Sequence, residues 1–246
     1  MEKIRLQKYF TDMGIMSRRA CEKEILDGNI KVNGLTASPG DKVLPGTDIV
    51  TFKGKTVEYT QKAYRYLMLN KPMGYVTTMT DEQGRKTAAE LVSDCGTRVY
   101  PVGRLDMYSE GLLIFTNDGD VANRVTHPSG NTSKVYSVKI KGILTDEETE
   151  QLKEPMVLDG YELRPVDVGL VHRGRDREGN DHTVLRITLY EGRNRQIRRM
   201  CEKCGFKVMR LRRIEQCGIS LSDLPLGKWR DLTEAEVRLL KGEQES

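Results

Sequence analysis

Histidine, tryptophan and cysteine are all scarce in this chain. Among its 246 residues are three histidines, at 127, 172 and 182, one tryptophan and five cysteines. So few scattered imidazoles leave little from which to assemble a zinc centre, whose ligands come mainly from histidine and cysteine. An odd, low number of cysteines implies no disulfide framework and fits a reducing cytoplasm. Apolar runs are short as well, none approaching the roughly 18 residues of a membrane-spanning helix. The stretch from Met1 to Lys8 is charged throughout and lacks the apolar core of a secretory leader. The expectation is a cytoplasmic protein with no metal and no membrane partner. Internal repeats and low-complexity segments are also missing.

Charge is plentiful, with 40 Lys+Arg against 36 Asp+Glu, but the net of +4 is too small to imply a nucleic-acid partner. Its distribution is more informative. Residues 185–214 hold ten basic side chains against Glu191 and Glu202, a net of +8. Residues 1–62 carry +3, and the segment 231–246 carries −3. A basic field confined to thirty residues is an electrostatic footprint for phosphates. The competing reading is a solvated helix face, although such faces usually mix their signs.

The first sixty residues read as a separate module. Leu6 to Gly14 is a short helical stretch, and Ser17 is placed to cap a second helix, Arg18 to Asp27, stopped by Gly28. Ile30-Lys-Val is a strand, Asn33-Gly34 a hairpin signal, and Asp48-Ile-Val-Thr-Phe a further strand. Residues 56–64 read as a linker. Beyond it, strands and helices alternate without a regular βαβ rhythm, which argues for an α+β class. Strands are expected at Tyr66–Leu69, Leu112–Phe115, Lys134–Lys141 and Thr183–Tyr190. Capping boxes, Thr87 with Glu90, Thr145 with Glu148 and Thr233 with Glu236, predict three helix starts. The expected division is 1–60 and 61–246.

Three constellations are candidates for chemistry. Between Gly103 and Gly111 a compact loop holds Arg104, Asp106, Ser109 and Glu110 ahead of an apolar strand. A carboxylate on a loop between rigid elements suits a catalytic acid, although loop aspartates mostly cap turns. Asp118-Gly-Asp120 resembles a metal loop; the simpler reading is a turn with Asp120 capping a helix from Val121 to Val125. In the second constellation Ile197, Met200, Cys201 and Cys204 follow helical spacing, which makes Cys201 and Cys204 a core pair on a helix ended by Gly205. Arg193, Arg195, Arg198 and Arg199 crowd the start of that helix, where the macrodipole disfavours cations. Four violations without local compensation suggest function, with phosphates or a carboxylate as partners. Third, Tyr136 shares a strand face with Val138 and Ile140. It is either core packing or a ring and hydroxyl offered to a flat substrate.

Gly103-Arg-Leu-Asp106, Ser109-Glu-Gly-Leu-Leu, Thr116-Asn-Asp-Gly, Lys134-Val-Tyr136 and Gly192-Arg-Asn-Arg-Gln-Ile-Arg198 together resemble the motifs of the RsuA/RluB-type ribosomal RNA pseudouridine synthases. Asn70-Lys-Pro-Met-Gly74 and Leu226–Thr233 match flanking patterns of that family. Ser17-Arg-Arg-Ala and Ile30–Gly34 resemble the alpha-L RNA-binding module, similar to one in a small-subunit ribosomal protein. The resemblance implies a small helix-helix-hairpin domain followed by a catalytic domain built on a mixed, mainly antiparallel sheet flanked by helices. It implies an isomerase that detaches uracil, turns it and rejoins it through carbon, without cofactor or metal. Asp106 is then the nucleophile, Arg198 its ion partner, and Tyr136 the stacking residue. Arg104 is implied to hold the displaced strand, and Arg193, Arg195 and Arg199 to meet RNA. In the small module Arg18, Arg19, Lys23 and Lys31 are the expected RNA contacts, or else solvated surface charges. The neighbourhoods of Arg98–Gly103 and Gly119–Pro128 look more like the large-subunit branch, so the expected partner is large-subunit rRNA or an assembling particle, and a monomer is expected. The same chemistry on small-subunit rRNA and a non-catalytic RNA-binding assembly factor are the alternatives.

Overall fold

A computed structural model of the chain describes residues 2–60, 63–127, 130 and 132–243. Contacts divide it into two units, Met1–Tyr64 and Arg65–Ser246.

In the first unit a short strand, β1 (Ile4–Arg5), leads into two helices, α1 (Leu6–Asp12) and α2 (Arg18–Leu26). Five short strands follow: β2 (Ile30–Val32), β3 (Leu35–Thr36), β4 (Lys42–Val43), β5 (Val50–Phe52) and β6 (Lys55–Thr56). Ser17 caps α2 as its side-chain chemistry predicts, accepting from the Ala20 amide at 3.2 Å. Asn33 and Gly34 both take positive φ, 51° and 85°, the backbone that a tight β2–β3 hairpin demands. The Asn33 amide is also tied to Asp48 and to the Ile49 backbone, which fixes β5 beside the hairpin. Leu6, Tyr9 and Phe10 of α1 and Cys21 and Ile25 of α2 close over Ile30, Val43 and Val50. The expected linker is partly folded: Thr56 lies in β6, and Val57 and Tyr59 pack on this core because the Tyr9 and Tyr59 hydroxyls find Val57 and Asp12.

The second unit is organised on a nine-stranded sheet. Its strands are β7 (Tyr66–Lys71), β8 (Tyr100–Pro101), β9 (Glu110–Thr116), β10 (Lys134–Lys141), β13 (Asp167–Arg175), β14 (Asp181–Leu189), β15 (Val208–Gln216), β16 (Ile219–Ser220) and β17 (Trp229–Asp231). The order across it is β13-β14-β10-β15-β9-β7-β17, with β8 beside β9 and β16 beside β15. Within this sheet β15 and β9 run parallel and the other pairs are antiparallel. The α+β class with a mixed, mainly antiparallel sheet is therefore what the chain builds.

Both faces of the central strands are covered, and the period-two pattern decides which side each residue serves. Leu113 and Phe115 of β9 join Leu67, Leu69, Tyr136, Val138 and Leu211 on the face packed by Ile197, Met200 and Cys201 of α5 (Gln196–Lys203). Leu112 and Ile114 point the other way, to Val121 and Val125 of α3 (Gly119–Thr126) and Leu240 of α6 (Glu234–Lys241). Each fully buried side chain of this kind contributes about 1.5–3 kcal/mol of burial free energy. Cys201 belongs to this core, and burial pushes its thiol up to about 12, so the cysteine pair packs as its spacing predicts. A short helix, α4 (Asp146–Glu150), and a two-stranded hairpin, β11 (Val157–Leu158) with β12 (Tyr161–Glu162), lie between β10 and β13 in the chain. No helix among the described residues is long and apolar enough to cross a membrane.

Local expectations fail in two places. Thr87 and Glu90 make their reciprocal bonds, yet only one 3-10 turn follows, Glu90–Val92, cut off by the turn at Gly96. Thr145 and Thr233, by contrast, open true helices with complete capping boxes. Asp118, rather than Asp120, caps α3, its carboxylate accepting from the Asp120 and Val121 amides. The Thr116 hydroxyl accepts from the Asp118 amide and the Tyr66 hydroxyl donates to its carboxylate, so the cap is set two residues earlier.

Candidate active site

The loop Gly103–Ser109 runs from β8 to β9, and its backbone is held at five consecutive carbonyls. Leu105 accepts from the Thr77 hydroxyl, Asp106 from the Ser109 amide, and Met107 from the Gly74 amide. Tyr108 accepts from Arg198 at 2.7 Å, and Lys71 donates to Asp106 at 3.2 Å and to Ser109 at 2.8 Å. Lys71 also donates to the Pro72 carbonyl. Every peptide that could swing the Asp106 side chain is thus anchored, while the carboxylate itself stays one-third exposed. Positioning of this kind, through the backbone, leaves the reactive oxygens unencumbered.

Lys71 has no exposed surface. Burial is the main cause that lowers its ammonium from the ordinary 10.5 to about 8; nearby Arg213 adds to the shift, and the Asp106 and Glu110 carboxylates oppose it. Glu110, 2% exposed, is paired with Arg210.

The four arginines expected to crowd the start of α5 diverge. Arg195 is the N-cap residue, in left-handed backbone at φ 49°, and its guanidinium lies 4.0 Å from the Asp106 carboxylate. Arg198, the ion partner implied by resemblance, donates to the Tyr108 carbonyl and steadies the loop; burial lowers its guanidinium, and the nearby Asp106 carboxylate opposes that shift. One helical turn separates the two positions, so the residue at the cap reaches the carboxylate and the one above it reaches the backbone. Arg199 pairs with Asp159, and Arg193 lies over the Tyr161 ring. The cationic helix start is therefore compensated after all, by tertiary partners that sequence spacing does not display.

Asp106 opens onto a cleft of about 400 Å³ whose wall includes Arg104, Tyr136, Arg193, Arg195 and Arg213. Arg198 and Arg199 are not among its lining residues. Tyr136 is 9% exposed, packed in the core and also part of the cleft wall. Lys134, two residues before it on the same face, also lines the cleft, and burial lowers its ammonium, with Arg213 assisting. Cationic side chains thus outnumber the carboxylates Asp106 and Glu191 around this space. A cleft with this excess of positive charge attracts anions such as phosphates.

Lys71, Lys134, Arg213 and Gln216 were not singled out by sequence reasoning. Lys71 lies inside a motif whose individual residues carried no assignment, and a buried lysine has no sequence signature of its own. In the first unit Arg18, Arg19, Lys23 and Lys31 are all exposed, the first three on α2 and Lys31 on β2. None of the four is engaged in an ion pair among the described residues, which leaves them available to an anionic partner.

A family model described as RNA pseudouridylate synthase matches residues 65–203, and one described as S4 domain matches residues 4–49. The chain is 41% identical to an RNA pseudouridine synthase of Aquifex aeolicus over 98% of its own length and 94% of that protein's. It is 35% identical to the ribosomal large subunit pseudouridine synthase B of Bacillus subtilis, covering 96% and 95%. Among solved structures, a crystal structure of a pseudouridylate synthase superposes with a TM-score of 0.66 at 25% identity, covering 96% of this chain and 99% of that one.

Proposed function

The chain belongs to the RNA pseudouridylate synthase family, and on that footing we propose that it isomerises one uridine of large-subunit ribosomal RNA, with Asp106 as nucleophile. The observation that carries this reading is Asp106 itself: a part-exposed carboxylate on a loop anchored at the carbonyls of Leu105 to Ser109, facing a cationic cleft that has Tyr136 in its wall. The B. subtilis relative's name supports the large subunit as the source of the RNA.

In the reaction the bond from ribose C1′ to uracil N1 breaks and a bond from C1′ to C5 forms. C5 loses a proton and N1 ends with one, so atoms balance with no oxidant or reductant. Asp106 attacks C1′ as the bond to N1 breaks, holds the sugar while the base turns, and leaves as a free carboxylate when C5 bonds to C1′. Arg195 places positive charge beside the carboxylate, and Arg198 fixes the loop through the Tyr108 carbonyl. Tyr136 supplies a stacking surface beside C5 and a hydroxyl for the proton. Because C1′ and C5 are shielded in a stacked helix, the uridine is flipped out at a cost of a few kcal/mol. Arg104, exposed at the cleft mouth, is placed to hold the strand it leaves.

Mapping pseudouridines in both ribosomal RNAs, with and without the gene, tests this directly. One site disappearing from large-subunit rRNA is the expected result. A site lost from small-subunit rRNA transfers the assignment to that subunit, and no lost site overturns it.

The first unit supplies grip rather than chemistry in this reading. Replacing Arg18 and Arg19 together by Ala is expected to weaken RNA binding and to reduce the slope of log K against log salt by about 1.5–2. Filter binding across a salt series measures it. A slope equal to that of the unaltered protein removes these two residues from the interface.

A further inference from the structure

The cleft rim carries a stacked pair with no part in the chemistry at Asp106. Arg193 precedes the Arg195 cap of α5 by two residues, and its guanidinium carbon lies 3.0 Å from the centre of the Tyr161 ring. Both side chains line the cleft. Both are also open to solvent, Tyr161 at 37% and the Arg193 side chain at 42%. Because the ring covers one face of the guanidinium, its exposure falls on the opposite face and the edges. The guanidinium makes no hydrogen bond among the described residues, and a Glu191 carboxylate oxygen lies 3.8 Å from its Nε.

The pair is built on a fixed base. Glu191 Oε1 accepts from the Arg164 amide and from Gln196 Nε2, both at 3.0 Å. Gln196, 3% exposed, accepts in turn from the Arg193 amide at 3.2 Å. The backbone of Arg193 and the acid beside it are thereby fastened to the start of α5. Tyr161 comes from the β11–β12 hairpin, which is tied down elsewhere. Asp159 pairs with Arg199, the Val157 carbonyl accepts from Lys203 at 3.1 Å, and Leu158 and Leu163 enter the core. A fourth tie at the rim adds little to the fold, since cation–π contacts at exposed sites are weak. What the pair offers is a flat cationic platform in the wall of the reaction cleft. Guanidinium planes and aromatic rings are the side-chain surfaces on which unstacked bases settle.

We propose that a nucleobase next to the flipped uridine stacks on the open face of the Arg193 guanidinium, with the Tyr161 ring backing it from the other side. The assignment rests on the pseudouridine synthase reading above, and it concerns a neighbouring nucleotide, not the uridine that Asp106 attacks. Flipping a uridine out of a stack takes a stacking partner from each of its neighbours. A neighbour that meets a platform on the protein regains that contact, which lowers the cost of the flip. Every base has a face to offer, so the platform accepts any of them and holds the larger purines best. Arg193 is the binding residue, and Tyr161 is a positioning residue that acts through it.

The experiment uses an rRNA fragment spanning the mapped uridine, with tritium at its C5 and an abasic ribose at either the 5′ or the 3′ neighbour. For the unaltered protein, the missing base is expected to lower kcat/KM by roughly 5–100-fold at one of these two positions. Arg193→Lys keeps the charge and loses the plane. It is expected to lose a similar factor on the intact fragment and little further on that abasic one, because both changes remove one contact. Tyr161→Leu is expected to weaken the same coupling and Tyr161→Phe to restore it, since the ring and not the hydroxyl backs the guanidinium. Both residues are exposed, and the abasic arm needs no variant at all. Indifference to the base at both neighbours overturns the proposal. So does an Arg193→Lys protein that turns over the intact fragment at the unaltered rate, because a phosphate contact needs only the charge. Absence of tritium release by the unaltered protein from either rRNA is a different result, and overturns the function reading instead.

Discussion

Replacing Asp106 by Asn is expected to stop tritium release from C5 of the target uridine, with kcat falling by ~10⁴-fold or more, as loss of a covalent nucleophile does elsewhere. Binding is expected to survive. The carboxamide has the shape of the carboxylate, and the loop is held through its peptide carbonyls rather than through this side chain. The one ion pair lost is the long contact of 4.0 Å to Arg195, half of whose side chain faces solvent. Contacts of that kind contribute about 0–1 kcal/mol, so the melting temperature moves little. Removing a negative charge from a cationic cleft also takes away repulsion toward phosphate, and RNA affinity is expected to rise slightly or stay level. Substantial turnover by the Asn variant would sink the assignment of Asp106 as nucleophile.

The second large effect is expected at Lys71, which touches no substrate. Its buried ammonium bridges the Pro72, Asp106 and Ser109 carbonyls, and so joins the end of β7 to the middle and the end of the loop that carries Asp106. Lys71→Met keeps the length of the side chain and removes all three bonds. Leaving the carbonyls unmade outweighs the relief of not burying a charge, and a loss of about 2–4 kcal/mol in stability is expected. The loosened loop is expected to lower kcat by roughly 10–100-fold with little change in KM.

The pH dependence of this effect has a definite sign. Folding lowers the Lys71 ammonium to about 8 from 10.5, so between those values the unfolded chain binds more protons at this position. Stability contributed by Lys71 therefore rises with pH across that window and is constant below it. The gap in unfolding free energy between the unaltered protein and Lys71→Met is expected to widen by up to roughly 3 kcal/mol from pH 8 to 10.5. Over the same range kcat of the unaltered protein is expected to decline, since a neutral amine has two hydrogens for three carbonyls. Denaturant unfolding and single-turnover rates from pH 7 upward measure both. Parallel unfolding curves for the two proteins at every pH would show that Lys71 does not titrate as its burial requires.

Much of the local structure follows from short-range chemistry. Ser17 caps its helix, Asn33-Gly34 turns its hairpin, Thr145 and Thr233 form capping boxes, and Cys201 packs on the apolar side of α5. Each of these is decided within a few residues. Where a local signal met a competing tertiary partner, the local signal gave way. Asp118 took the cap from Asp120 because Thr116 and Tyr66 already held it. The basic window 185–214 was a sound pointer to an anion site but a poor guide to its members. Arg210 and Arg199 are consumed by Glu110 and Asp159, and Arg195 and Arg213 are left to serve the cleft.

By itself, then, the sequence determined the α+β class, the basic small module and the motif loop bearing Asp106. Those properties reside in contiguous residues, where period, cap and turn chemistry act over one or two turns of chain. Only the tertiary structure decided which cation faces the carboxylate, that Arg198 steadies Tyr108 from 90 positions away, and that Lys71 is sealed beneath the loop. It alone placed Arg213 beside Tyr136, through a parallel pairing and a one-residue bulge. Strand register and the depth of a buried charge are set by contacts between distant segments, and no local pattern along the chain carries them.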